Sequence, residues 1–585
     1  MKFVSHYAAL VALWVTCAAG VASGADFPQK WVFASADVTS DEGLTKSIKD
    51  LQQYKALSVT HLLLHEARLG RIQLADAAYA VRARQYQDEA QKAGIALVPA
   101  VYALNGAAWL RLDGNLAAGI PARDIPFLVR DGKASVDPTT ALPVVNGGFE
   151  EANGDRLNGW DGQELAGKNT FVDTTVKHSG KSSLRITAGK ASPISVGLAQ
   201  DFKVKPFQYY RMSVWVKSDG VQAEHDSYVR ATSSGGKRGN IWTSLGVSPT
   251  QDWTRHCITF NTMEGTDLHF TLGVGDMRSG TIWYDDLTIE PAGLLGVLRR
   301  DLCPLKVTSE DGAVTYEEGK DFRPVADPIV TLRPGGLPTL DHQPPKIVLT
   351  DNSRIKEGQK LLVSFFHSIR IYLEKEIVSL EDPKTLELMD TQMKLVSRIW
   401  PTGAYFMEYD EIRIAGWEGL PDGRHLKPGE LLAWHLTKGI EIARKYVPDA
   451  KLYTWSDMFT PYHNAQPFEK GGYYYAVNGT WEGSWVTLPK DVIIMNWYAP
   501  TKDSMKFFSD RGNAQIMCGY YDGRSEAQMK ENIEQWMQVS QGVPNVLGMM
   551  YTTWTNTFED MPPFFKLLAD YPKWSTGQAG PGRDR

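Results

Sequence analysis

Cysteine is nearly absent: of four in 585 residues, Cys17 lies in an N-terminal apolar stretch, which leaves Cys257, Cys303 and Cys518. Three scattered thiols exclude a dense disulfide framework and a cysteine-based zinc site, so packed cores must hold the chain together. Blocks of like charge are also missing, and the formal net charge is −6. That excludes a nucleic-acid stripe or a polybasic membrane patch and favours neutral or weakly charged ligands. Beyond the N-terminus no run approaches the roughly 18 apolar residues of a membrane span. Metal-ligand spacings, a Gly-rich phosphate loop and a Gly-x-Ser-x-Gly elbow are all lacking.

What is present begins with MKFVSHYAALVALWVTCAAGVASGADF. A lysine, an apolar run and then small residues have the layout of a secretory signal over residues 1–25. Lipidation at Cys17 is disfavoured because Thr16 precedes it. The expectation is export to the periplasm or the extracellular space. The remaining chain is too long for one core and predicts several domains.

From residue 26 to 122 strand-like and helix-like segments alternate: WVFASA (31–36), HLLLHE (61–66) and ALVPAVY (96–102), separated by stretches of helical period. This βαβαβ order predicts parallel strands with crossover helices. Residues 142–292 lose the helical period and carry alternating runs such as YYRMSVWVKSD, the pattern of an antiparallel β-sandwich. A further β-rich segment, 293–375, includes Asp311-Gly312 at a hairpin position and LLVSFFH at 361–367. From 376 to 575 the alternation returns. Asp382 and Pro383 predict a helix start, and strands are expected at 405–411, 451–457, 491–498, 514–522 and 546–554. Three strands plus five give an α/β fold, a (β/α)8 TIM barrel interrupted by a β-sandwich (jelly-roll) insertion, with LLVSFFH assigned to the insertion.

Such barrels build their sites at the C-terminal ends of the strands. Those ends carry His65-Glu66, Asp410-Glu411, Trp455 and Asp457, Trp497, Tyr520 and Asp522, and Trp554. Aromatic faces stack on a sugar's C–H face, while carboxylates accept hydroxyls or move protons, so this rim suits a neutral sugar, with a glycan or oligosaccharide as the expected substrate. Asp410 and Glu411 are the candidate catalytic pair. Read structurally, the pair would need Arg413 to neutralise it. Neighbours on a strand point to opposite faces, so the two fit as an acid and a positioner better than as acid and nucleophile across one bond. His65 and Glu66 read as structural.

The YDE of 409–411, the tryptophans of YTWSDMF, IIMNWY and MYTTW, and GYYD at 519–522 together resemble glycoside hydrolase family 20, the β-N-acetylhexosaminidases. The resemblance implies a retaining, substrate-assisted hydrolase needing no cofactor for catalysis. Glu411 would be the acid/base and Asp410 the residue that orients the acetamido group. Trp455, Trp497, Trp554 and Tyr520 would form its pocket, with Asp457 and Asp522 as further sugar ligands. The strand-one arginine and the strand-three Pro-Glu of that family have no counterpart in WVFASADV and VPAVYALNG. Two rivals stay open: a conventional pair of Glu411 with Asp457 or Asp522 acting on a sugar without an acetamido group, and a non-catalytic glycan-binding protein. Within the insertion, NGGFEE, HSGKSSLRI and WYDDLTIE resemble galactose-binding-like carbohydrate-binding modules, which implies Glu150 and Asp286 as ligands of a structural Ca²⁺.

Overall fold

The computed structural model describes residues 29–105, 107–189, 193–232, 241–331, 340–371, 376–498, 500–555 and 558–575. The expected signal segment and Cys17 lie outside them.

Eight parallel strands close into a barrel: β1 (Gln29–Ala36), β2 (His61–Glu66), β3 (Ala96–Val101), β4 (Ala404–Met407), β5 (Lys451–Trp455), β6 (Ile493–Trp497), β7 (Gln515–Tyr520) and β8 (Val546–Thr552), with β8 pairing back onto β1. Their local signals explain the helices between them. Ser40 caps α1 (Asp41–Ala56) by accepting from the Gly43 N–H, and Asp76 caps α2 (Ala77–Ala93), which ends on left-handed Gly94. Asp382 and Pro383 start α3 (Pro383–Ile399) as their spacing predicts. α4 (Pro428–Tyr446) follows β4, α5 (Lys502–Asp510) follows β6, α6 (Glu526–Ser540) follows β7, and α7 (Met561–Ser575) follows β8. Between β5 and β6 the chain forms only loops, short 3₁₀ turns and the two-residue strand Ala476–Val477.

The long interruption between β3 and β4 folds into two β units. One is a six-stranded antiparallel sheet built from both ends of the interruption, Ile120–Arg130 and Lys133–Val136 with Lys306–Ser309, Thr315–Tyr316, Ile347–Val348 and Lys360–His367. It has its own core, including Phe127, Val129, Val363 and Phe365. LLVSFFH therefore pairs with Ile120–Arg130 and not with the barrel, and that strand runs across the boundary expected at 122. Asp311 and left-handed Gly312 turn the hairpin between Lys306–Ser309 and Thr315–Tyr316.

In the other unit the paired strands are all antiparallel. Tyr209–Thr232 and Asp267–Pro291 run its length side by side; Ser183–Thr187, Ile194–Lys203 and Gln251–Asn261 add to them, with Thr170–Asp173 and Ile241–Ser244 at the edges. No helix among the described residues is long and apolar enough to cross a membrane.

Candidate active site at the barrel mouth

Side chains alternate along a strand, so one column of each barrel strand points inward. Trp31 and Phe33, Leu63, Phe406, Tyr453 and Trp455, Met495, and Ile516 and Cys518 fill the interior as one cluster. Two residues further along the same columns stand His65, Glu408, Trp497 and Tyr520, which line the mouth. Glu408 is the residue sequence reasoning missed. The parity of Phe406 would have found it, had β4 not been expected to run on to residue 411.

The aromatic residues meet. Trp455 lies 5.2 Å from Trp497 between ring centres, and Trp497 lies 5.4 Å from Trp554. Phe33 touches both ends of the row, 6.4 Å from Trp455 and 4.9 Å from Trp554. Exposure rises along it, from 3% at Trp455 to 50% at Trp554. A buried indole thus supports an open one, which is what a stacking platform requires.

The acids also converge, by a route the sequence does not announce. β4 stops at Met407, so Asp410 and Glu411 stand on an irregular segment, not on the strand expected at 405–411. Glu411 takes φ of +43°, a backbone conformation uncommon for a side chain of its size. Opposite-face placement no longer applies to the pair. The buried guanidinium of Arg413 donates to Glu411 Oε2 at 2.7 Å and lies 5.0 Å over the Tyr475 ring. Asp457, 1% exposed, accepts from the Glu411 backbone N–H at 3.2 Å and from Asn464 Nδ2 at 2.9 Å. Burial, and then the charges of Asp410 and Glu411, push the Asp457 carboxyl well above the usual range. Asn105 Nδ2 donates to Asp410 Oδ2 at 3.3 Å.

His65 links the two groups. Its ring centre is 4.8 Å from Phe33, and its Nε2 is 2.6 Å from Glu408 Oε1. Burial alone would lower its pKa, but the Glu408 carboxylate and then Asp410 raise it above the ordinary histidine value. His65 therefore faces the site, whereas Glu66 is spent on structure: it accepts from the Tyr79 hydroxyl at 2.5 Å and from the Arg68 N–H at 2.8 Å.

Tyr520 stands at the mouth, while its neighbour Tyr521 is buried, stacks on Tyr551 and bonds Asn532. Burial and then Asp522 raise the Tyr520 pKa. Asp522 Oδ2 accepts the backbone N–H groups of Trp554 at 2.7 Å and Thr555 at 3.1 Å, so it sets the loop that presents Trp554.

In the β unit, Glu150 accepts from the Lys181 N–H at 2.7 Å, and Asp286 bonds Ser179 Oγ at 2.8 Å and His178 Nδ1 at 2.7 Å. Both carboxylates serve the turn at 178–181. Among the described residues no group of three or more His, Cys, Asp or Glu is placed to hold a metal. Across the adjacent sheet, Phe171 pairs with Arg185, Arg185 with Trp283, and Trp283 with Lys217, while Trp215 stacks on His178 at 3.9 Å. These side chains are partly exposed and share one face.

Residues 143–275 match a family model described as a carbohydrate binding domain. No curated protein matches the chain. Among solved structures, a family 16 carbohydrate-binding module is 21% identical over 25% of this chain and 97% of that one, with a TM-score of 0.20. The CBM22-1 xylan-binding domain of a Paenibacillus barcinonensis protein is 18% identical over 26% and 94%, at 0.19. The CBM22-1–GH10 modules of a Clostridium thermocellum endo-1,4-β-D-xylanase, complexed with xylohexaose, are 12% identical over 72% and 96%, at 0.21. At these TM-scores the structural likenesses carry no argument. The family match concerns the β unit and covers well under half of the chain.

Proposed function

We propose that this chain is an exported glycoside hydrolase that binds glycan through its β unit and cleaves it at the barrel mouth. The observation that carries the reading is the junction of acids and aromatics through Phe33 and His65, beside a unit that matches a carbohydrate binding domain. Stacking on Trp554 and Trp497 would hold a pyranose ring while the carboxylates work on its glycosidic oxygen.

In the leading mechanism Glu411, aimed by Arg413, protonates the leaving oxygen and later activates water. Asp410, steadied by Asn105, orients an acetamido group whose oxygen attacks the anomeric carbon, giving retention through a cyclic intermediate. Trp455, Trp497, Trp554 and Tyr520 enclose that group. One arrangement favours a second mechanism: Asp457 is buried against the Glu411 backbone, and burial together with Asp410 and Glu411 pushes its carboxyl up, the environment that separates an acid from a base. There Asp457 would be the acid and Glu411 the nucleophile or base, on a sugar that needs no acetamido group.

A thiazoline mimic of the cyclic intermediate separates the two. Submicromolar binding, lost in Asp410→Asn, supports acetamido assistance; no binding, with cleavage of a sugar lacking the acetamido group, supports the carboxylate pair.

A further inference from the structure

Beside the acids, a cavity of about 320 Å³ opens at the barrel mouth. His65, Asn105 and Glu408 line it together with Arg71 and Arg111. The two arginines come from separate elements, Arg71 from the turn Leu69–Leu74 and Arg111 from just after the short helix Ala107–Leu110. Gly70 permits that approach: a Cβ there would stand 2.7 Å from the Ala108 Cβ. Arg71 itself kinks the turn, with φ of −136° and ψ of 43°.

The charges lining this cavity are not balanced. Among the described residues neither Arg71 nor Arg111 has an ion-pair partner. The nearby carboxylates are committed elsewhere, Glu408 to His65 and Glu66 to Tyr79 and two backbone N–H groups. Burial, then Arg111 and Arg68, lower the Arg71 pKa, so the guanidiniums feel one another. Guanidiniums left facing a cavity form a planar, bidentate fit for a carboxylate or a sulfate.

We propose that this cavity is an anion subsite, and that the glycan taken at the barrel mouth is acidic, carrying a carboxylate or a sulfate on the sugar next to the scissile bond. The inference rests on the reading of the mouth as a glycan site, and it corrects the neutral preference that overall charge implied. The even spread of charge along the sequence conceals the subsite, because 39 residues of chain separate arginines that the fold brings to one cavity.

The test measures binding and cleavage by the full chain of three oligosaccharides of equal length: a neutral galactan, a galacturonan and a sulfated galactan. At low salt at least one acidic glycan should bind tenfold or more tighter than the neutral one, and which one does identifies carboxylate or sulfate. The Arg71→Met/Arg111→Met variant, with an unchanged melting curve, should bring that affinity down to the neutral level. Arg71→Lys/Arg111→Lys should keep part of the preference. Equal affinities in the wild type, or a preference that survives the methionine variant, would overturn the subsite. Arginine-dependent preference without cleavage would leave the subsite standing and remove the hydrolase reading.

Discussion

Glu408 Oε1 stands 2.6 Å from His65 Nε2, tying β4 to β2 across the intervening β3. The pair fixes the inward ends of two strands and joins the aromatic row to the acids. It titrates. Because the His65 pKa is raised in the folded state, its contribution to stability is complete below the unfolded value of about 6.5 and fades as pH rises through the folded value. Glu408→Gln should therefore destabilise the protein more at pH 6 than at pH 9, and NMR should show the His65 pKa falling in that variant. A pH-independent effect would break the link.

Asp457 has the same sign from a different cause, burial and two neighbouring carboxylates instead of an ion-pair partner. Its folded pKa lies above the unfolded one, so as pH climbs past about 4 the wild type carries a growing penalty for ionising or retaining this proton. Asn keeps the shape without the charge. Asp457→Asn should gain in melting temperature relative to the wild type between pH 5 and pH 8. Loss of activity in the same variant would assign Asp457 the proton that the carboxylate-pair mechanism needs.

Arg413 is buried and holds a half-exposed partner, so its removal exposes Glu411 to water without stranding a buried charge. Arg413→Met should cost about 2 kcal/mol, mostly the lost charge-assisted hydrogen bond, and should lower kcat more than it raises KM because Glu411 loses its aim. Chemical denaturation beside steady-state kinetics reads both.

The indoles should divide by exposure. Trp455→Ala removes interior packing and should destabilise by about 3 to 5 kcal/mol. Trp554→Ala should change stability by less than about 0.5 kcal/mol yet weaken glycan binding about tenfold. Equal affinity in Trp554→Ala would remove it from the site.

The barrel strands were legible as short apolar runs, and the helix start at Asp382-Pro383 marked where the barrel resumes before β4. The meeting of the three indoles was legible too, since Trp455 and Trp497 stand at strand ends on inward columns. Strand ends were not. β4 stops four residues early because the chain leaves extended geometry there, reaching φ +43° at Glu411, and β6 gives way at Tyr498, φ +71°. Hydropathy carries no trace of such turns. That one misjudged end hid Glu408. Arg413 was foreseen as a neutralising partner, but Asn105, Asn464 and the two cavity arginines join the site only through long-range closure.

Hydrolysis itself is the decisive measurement. Release of reducing ends should be followed by wild type and Glu411→Gln over aryl N-acetylglucosaminide, N-acetylgalactosaminide and acidic oligosaccharides. Turnover is expected in the wild type and a loss of at least about a thousandfold in Glu411→Gln, whose melting transition should stay cooperative though lowered by the loss of the Arg413 ion pair. Turnover that persists in Glu411→Gln, or glycan binding with no cleavage by the wild type, would contradict it.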